Sequence, residues 1–229
     1  MRTQFGNVIR DSDVCVLCGD RPATSKEHIP PQSIFLENPR DYLLVPACDN
    51  CNGGTKLDDD YLLHVMAGAG WTEEALETWR AKVKPRFLDH PGTRIGLRNN
   101  LVRGSISIPN VGRVHVDILK ADAVRIQTSV RKMVWGLYWF HTGHIRPPGD
   151  IFEVFMLNVA QVTPYLNDPD NARAVAMTGV GVYQDADVIQ RFFYRAGITP
   201  ENSLWYFVFY RQNVLIAYTG PTPPRDADA

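Results

Sequence analysis

Apolar and polar positions change period several times along the chain, and each change marks an element. Beyond residue 55, Leu57, Tyr61, Leu62, Val65 and Met66 recur at helical spacing behind Thr55 and Asp58, which read as a capping-box-like start. Thr72 opens a second short helix to about Lys84, and Pro85 is expected to stop it. Residues 105–118 alternate on both sides of a PNVG turn and predict a hairpin. Residues 121–141 predict a long helix in which Val134, Trp135, Leu137, Tyr138, Trp139 and Phe140 form a core stripe rather than a base-stacking platform. Strands are expected at 151–158, 173–184, 190–195, 204–210 and 213–218, as an antiparallel sheet packed on that helix. Upstream, residues 22–28 fit one strand and 41–47 a second, so the order there is strand, loop, strand, knuckle, helix. The fold class is α+β: a small unit over residues 1–70, a helix and basic connecting segment over 71–104, and an α+β domain over 105–229 with one long helix. The Pro-rich, polar tail 220–229 is expected to be loose.

Composition changes this picture little: 229 residues, 45% apolar and 21% charged, exclude disordered and fibrous classes. The amino end lacks the apolar run of a secretory signal, and no segment approaches the roughly 20 apolar residues of a membrane span, so a cytoplasmic location is expected. In a reducing compartment cysteine spacing is read for metal. The four cysteines stand as CVLC (Cys15, Cys18) and CDNC (Cys48, Cys51). A C-x2-C pair presents two thiolates from one tight turn, and two such turns complete a tetrahedral structural Zn²⁺ site; the bland alternative is four unrelated buried thiols. The 29 residues between the pairs exceed the usual ribbon spacing of roughly 15 to 20, so something extra is housed there, including SKEHIPP.

The formal net charge of −1 gives no global sign of a polyanionic partner, so charge is read locally. Residues 1–60 carry ten acidic against six basic side chains. Residues 79–104 carry Arg80, Lys82, Lys84, Arg86, Arg94, Arg98 and Arg103 against Asp89 alone. That stretch reads either as a phosphate-tracking arm or as a solvated helix and loop. Lys56 reads as a phosphate contact or a solvent-facing first-turn residue, and Asp58 to Asp60 as acids favoured at a helix start rather than a calcium site. The remaining histidines, His64, His90, His115, His141 and His144, carry no ligand spacing.

The series C-x2-C, EHIPP, C-x2-C, then at once Asn52, Lys56 and an acidic helix start resembles the HNH endonucleases, which have a ββα-metal fold. More narrowly it is similar to the zinc-clamped subgroup in which asparagine replaces the last histidine. The resemblance covers about residues 12–63 through five anchors. It implies that His28 is the general base, that Glu27 and Asn52 are ligands of a catalytic metal, and that the substrate is DNA, cut to leave 5′-phosphate and 3′-hydroxyl ends. Pro30 and Pro31 would fix φ after the base. The family's middle asparagine, which orients the histidine, falls near Asp41 here, leaving the role to Asp41 or to a backbone carbonyl.

Chemistry alone leads to the same place. Phosphodiester hydrolysis needs a deprotonated water and a cation on the charge that builds in the transition state. A histidine serves as base near neutral pH, since its ordinary pKa is about 6.5. A carboxylate beside an amide oxygen suits Mg²⁺ or Mn²⁺ better than Zn²⁺. Each residue also has a plainer role: a loop-capping His28, a solvated Glu27, an Asn52 capping the knuckle amides. Those roles correspond to a second function, a zinc-ribbon adaptor for nucleic acid or protein whose nuclease site has decayed. Nothing in these residues separates DNA from RNA as substrate.

Overall fold

A computed structural model describes residues 11–37, 39, 42–89, 99, 101–108, 112–147, 149–158 and 191–221. Asp41, His90, Arg94, Arg98, the strand expected at 173–184 and most of the tail lie outside them. The chain opens with β1 (Ser25–Ile29) and β2 (Leu43–Ala47), antiparallel with Ser25 opposite Ala47 and His28 opposite Leu44. A single turn, α1 (Asp49–Gly53), follows the second cysteine pair and leads into α2 (Lys56–Gly68). The Ile29–Pro30 peptide is cis, and the strand ends there.

Two local expectations for α2 are corrected. Thr55 makes no capping bond; its hydroxyl donates to the Cys51 carbonyl and so joins the helix to the cysteine knuckle. Leu57 does not belong to the apolar stripe and is exposed, because the buried face starts at Asp59 and Tyr61.

Thr72 caps α3 (Glu73–Thr78) as expected, its hydroxyl accepting from the Ala75 amide. Pro85 does not stop the helix. A π-helical turn (Trp79–Val83) intervenes and α4 (Lys84–Asp89) runs on through the proline. The wider turn breaks the i→i−4 ladder ahead of Pro85, so the missing N–H falls where a helix leaves a donor unpaired in any case. The Thr72 hydroxyl also donates to the Tyr210 carbonyl. Thr72→Ala therefore removes a cap and a tertiary bond, and is expected to cost about 1–2 kcal/mol in urea unfolding, with the slope unchanged.

A hairpin of β3 (Leu101–Ile108) and β4 (Gly112–Leu119) precedes α5 (Ala123–Thr142). Asp122 caps α5 by accepting from the Val124 and Arg125 amides, and Gly143, left-handed at φ 78°, ends it. The expected stripe is buried on this helix, save Phe140, which is half-buried. Beyond it lie β5 (Ile151–Asn158), β6 (Phe192–Ile198), β7 (Ser203–Phe209) and β8 (Asn213–Gly220) in one antiparallel sheet of order β5-β8-β7-β6. The class is therefore α+β, with the antiparallel sheet and long helix that the periodicity predicts. One apolar cluster reaches from Val16 and Ile29 through α2 and α5 to Trp205 and Phe207, so α5 backs both the β1–β2 hairpin and the sheet. Gly136 lets them approach: a Cβ there would lie 3.0 Å from Ile29 Cγ1. Among the described residues, no helix is long and apolar enough to cross a membrane.

Candidate functional site

The two C-x2-C turns fold against each other. The four Sγ atoms of Cys15, Cys18, Cys48 and Cys51 all lie within 4.8 Å of one another. A tetrahedron of 2.3 Å metal–sulfur bonds has edges of about 3.8 Å, so the cluster is of a size to hold a metal ion. The backbone of each knuckle is fixed independently of the thiols. In the first, the Gly19 amide donates to the Cys15 carbonyl with Gly19 left-handed at φ 68°; in the second, the Cys51 and Asn52 amides donate to the Cys48 carbonyl. Cys48 is also the N-cap position of α1. Burial pushes the Cys15 and Cys51 thiols up.

Beside this cluster lies a cavity of about 560 Å³ bordered by Glu27, His28, Asn52, Lys56, Lys82 and Arg86, together with Asp59, Asp60, Ser33 and the loop after β1. Residues from Glu27, 25 positions upstream of Asn52, to Arg86, 34 downstream, therefore meet in one place. The β1–β2 pair and the knuckle bring them together: Asn52 follows Cys51 directly, and its Nδ2 donates to Ser25 Oγ and to the Lys26 carbonyl, each at 3.1 Å. A carbonyl can only accept, so the nitrogen must face β1 and Oδ1 must face away from it.

Consecutive strand residues point to opposite faces, and Glu27 and His28 differ accordingly. Glu27 is buried, with Oε1 3.3 Å from Lys132 Nζ. Its Oε2 has no hydrogen-bond partner, and neither does Ser33 Oγ. Burial pushes the Glu27 carboxyl up to about 7, against the pull of Lys132 and with Asp59 adding to it. His28 is half-buried, and burial draws its pKa below the ordinary histidine value, which favours the neutral ring. The Tyr42 ring packs edge-on against the imidazole at 4.8 Å between centroids, fixing its plane.

The basic helix does not present one face. Lys82 and Arg86, four residues apart, border the cavity, whereas Arg80 and Lys84 are exposed and do not. Lys82 Nζ is anchored by the Ser33 and Phe35 carbonyls, and Arg86 pairs with Asp60. Of the four cations grouped as phosphate contacts, Lys82 and Arg86 therefore stand at the cavity, and Arg80 and Lys84 stand away from it. Arg103, from the same stretch, lies on β3.

Sequence reasoning missed Asp59, Asp60 and Lys132. The run Asp58 to Asp60 reads as a helix start, yet each acid has its own cation: Arg125 for Asp58, Lys132 for Asp59, Arg86 for Asp60. The one signal for Lys132 is a charged side chain within the apolar stripe of α5. Glu27 Oε2 and Asn52 Oδ1 are oxygen donors of the kind that Mg²⁺ or Mn²⁺ takes. No protein-family model, curated protein or solved structure matches this chain.

Proposed function

We propose that the protein is a metal-dependent endonuclease of the HNH type, with zinc on the four cysteines and DNA as substrate. The observation that carries this reading is the single cavity in which Glu27, His28 and Asn52 meet Lys56, Lys82 and Arg86. A bare zinc ribbon has no use for a half-buried histidine and an unpartnered buried carboxylate oxygen at the border of one cavity.

In this reading Glu27 and Asn52 would hold Mg²⁺ or Mn²⁺, which supplies positive charge to the scissile phosphate. His28 accepts the proton of the attacking water at an imidazole nitrogen, and the burial that lowers its pKa favours the unprotonated form that this role needs. Tyr42 holds the ring plane. Lys56, Lys82 and Arg86 bind non-bridging phosphate oxygens along the strand. Plasmid nicking with the purified chain, across Mg²⁺, Mn²⁺ and EDTA, tests the activity: divalent-dependent nicking abolished by EDTA is expected, and a chain that never nicks sinks the reading.

The split of the basic helix makes a sharper expectation. Lys82→Met with Arg86→Met should weaken DNA binding about tenfold at moderate salt and reduce the salt slope by about two. Arg80→Met with Lys84→Met should change both much less. Fluorescence anisotropy over a salt series distinguishes the pairs, and equal slopes would remove Lys82 and Arg86 from the binding face.

A further inference from the structure

Glu27 is held by a residue far along the chain. Lys132 Nζ lies 2.7 Å from Asp59 Oδ2 and 3.3 Å from Glu27 Oε1, and Ser129 Oγ, three residues earlier on α5, donates to Asp59 Oδ1 at 2.8 Å. All three charged residues are buried, Lys132 at 6%, Glu27 at 5% and Asp59 at 7% exposure. One turn further along α5, Gly136 brings the helix against Ile29, two residues past Glu27. The ammonium is thus built into the wall that supports β1. Stability alone does not account for it, because a buried ion pair or triad can often be replaced by apolar side chains of similar volume without loss. The neighbouring positions Val130, Met133 and Val134 are filled in that way.

We propose that Lys132 is a positioning residue for the cation site: its ammonium captures Glu27 Oε1 and leaves Oε2 as the one carboxylate oxygen open to a divalent ion. Asp59 neutralises Lys132 and is held in turn by Ser129. A carboxylate with both oxygens loose can rotate or chelate through both; one pinned at Oε1 offers a single, fixed ligand atom. The cation site therefore depends on α5, well outside the β1 to α2 segment that carries the cysteines, His28 and Asn52. This inference rests on the nuclease reading for the presence of the cation, while the pinned carboxylate rests on the contacts alone.

The test is Mn²⁺ binding to the zinc-loaded full chain, followed by electron paramagnetic resonance and without reference to cleavage. Lys132→Met alone strands two buried carboxylates, so it is paired with Asp59→Asn, which leaves the cluster at its original net charge. The double variant is expected to fold, keep its zinc and bind Mn²⁺ about tenfold or more weakly, as Glu27→Gln also should. Lys132→Leu with Asp59→Leu is a second, apolar route to a folded chain and reads the same quantity. Parent-like Mn²⁺ affinity in either folded double variant overturns the proposal, and so does a parent that binds no Mn²⁺. A parent whose Mn²⁺ binding depends on Lys132 but which never nicks DNA keeps this inference and removes the nuclease reading. A nicking parent whose double variant binds Mn²⁺ normally does the reverse.

Discussion

With zinc on the four cysteines and the proposed nuclease activity, Cys48→Ser is expected to release the metal, lower the melting temperature by several degrees or more, and abolish cleavage as a consequence. The first effect follows from the cluster: a hydroxyl is a poor replacement for a thiolate, and three sulfurs leave the tetrahedron open. The second follows from scale. Structural zinc is worth on the order of 10 kcal/mol in isolated finger peptides, and even about 3 kcal/mol moves the midpoint of a chain this long by about 6–12 °C. The third follows from connectivity, since Asn52 adjoins Cys51 and its amide is bonded to the Cys48 carbonyl. The loss is local in origin. Val16, Ile29 and Val45 share the apolar cluster of α5, so that helix and its sheet are expected to keep their circular dichroism signature. Zinc content by mass spectrometry beside a thermal melt checks the set. A parent without bound zinc, together with an unshifted midpoint in the variant, would mean that the four thiols are only neighbours.

What was legible in the sequence is what depends on short-range spacing. Two C-x2-C turns, the Glu27-His28 pair at the end of a strand-length run and a helix behind the second turn are set within a few residues each, and the Cys15 to Cys51 cluster and the β1, β2, α2 order follow them. The long helix and the antiparallel strands were legible because periods of 3.6 and 2 hold over many residues. Pro85 misled because the helix rule assumes an unbroken i→i−4 ladder, which the π turn interrupts. Leu57 misled because one apolar residue fits a stripe by spacing while lying a turn outside the buried face.

Lys132 could not be read for a different reason. Its partners Asp59 and Glu27 precede it by 73 and 105 positions, and only the packing of α5 on α2 and β1 brings them together. Local rules place Asp59 at a helix start, where acids are common, and so assign it to the helix dipole. Burial changes that: Asp59 is 7% exposed and needs a cation rather than a dipole. The same packing divides the basic helix, sending Lys82 to the Ser33 and Phe35 carbonyls while Lys84 stays in solvent.

His28→Ala separates the proposed catalysis from architecture, because His28 is neither one of the four cysteines nor a buried part of the core. Its ring contacts Tyr42 and borders the cavity, and its neighbours Glu27 and Ile29 carry the packing of β1. The variant is therefore expected to keep one zinc per chain, to melt within about 2 °C of the parent and to bind DNA within a few fold. Cleavage should fall by roughly 10²-fold or more, the scale of a deleted general base. An adaptor with a decayed site behaves otherwise: its parent shows no divalent-dependent nicking and loses nothing on substitution. A nuclease in which another group takes the proton is the remaining case, and it nicks at the parent rate without the imidazole. Zinc content, melting temperature, DNA affinity and single-turnover nicking, measured on parent, Cys48→Ser and His28→Ala, assign each outcome to one of these. A folded, zinc-loaded His28→Ala chain that nicks at the parent rate would remove His28 from the chemistry, whatever the cysteines do.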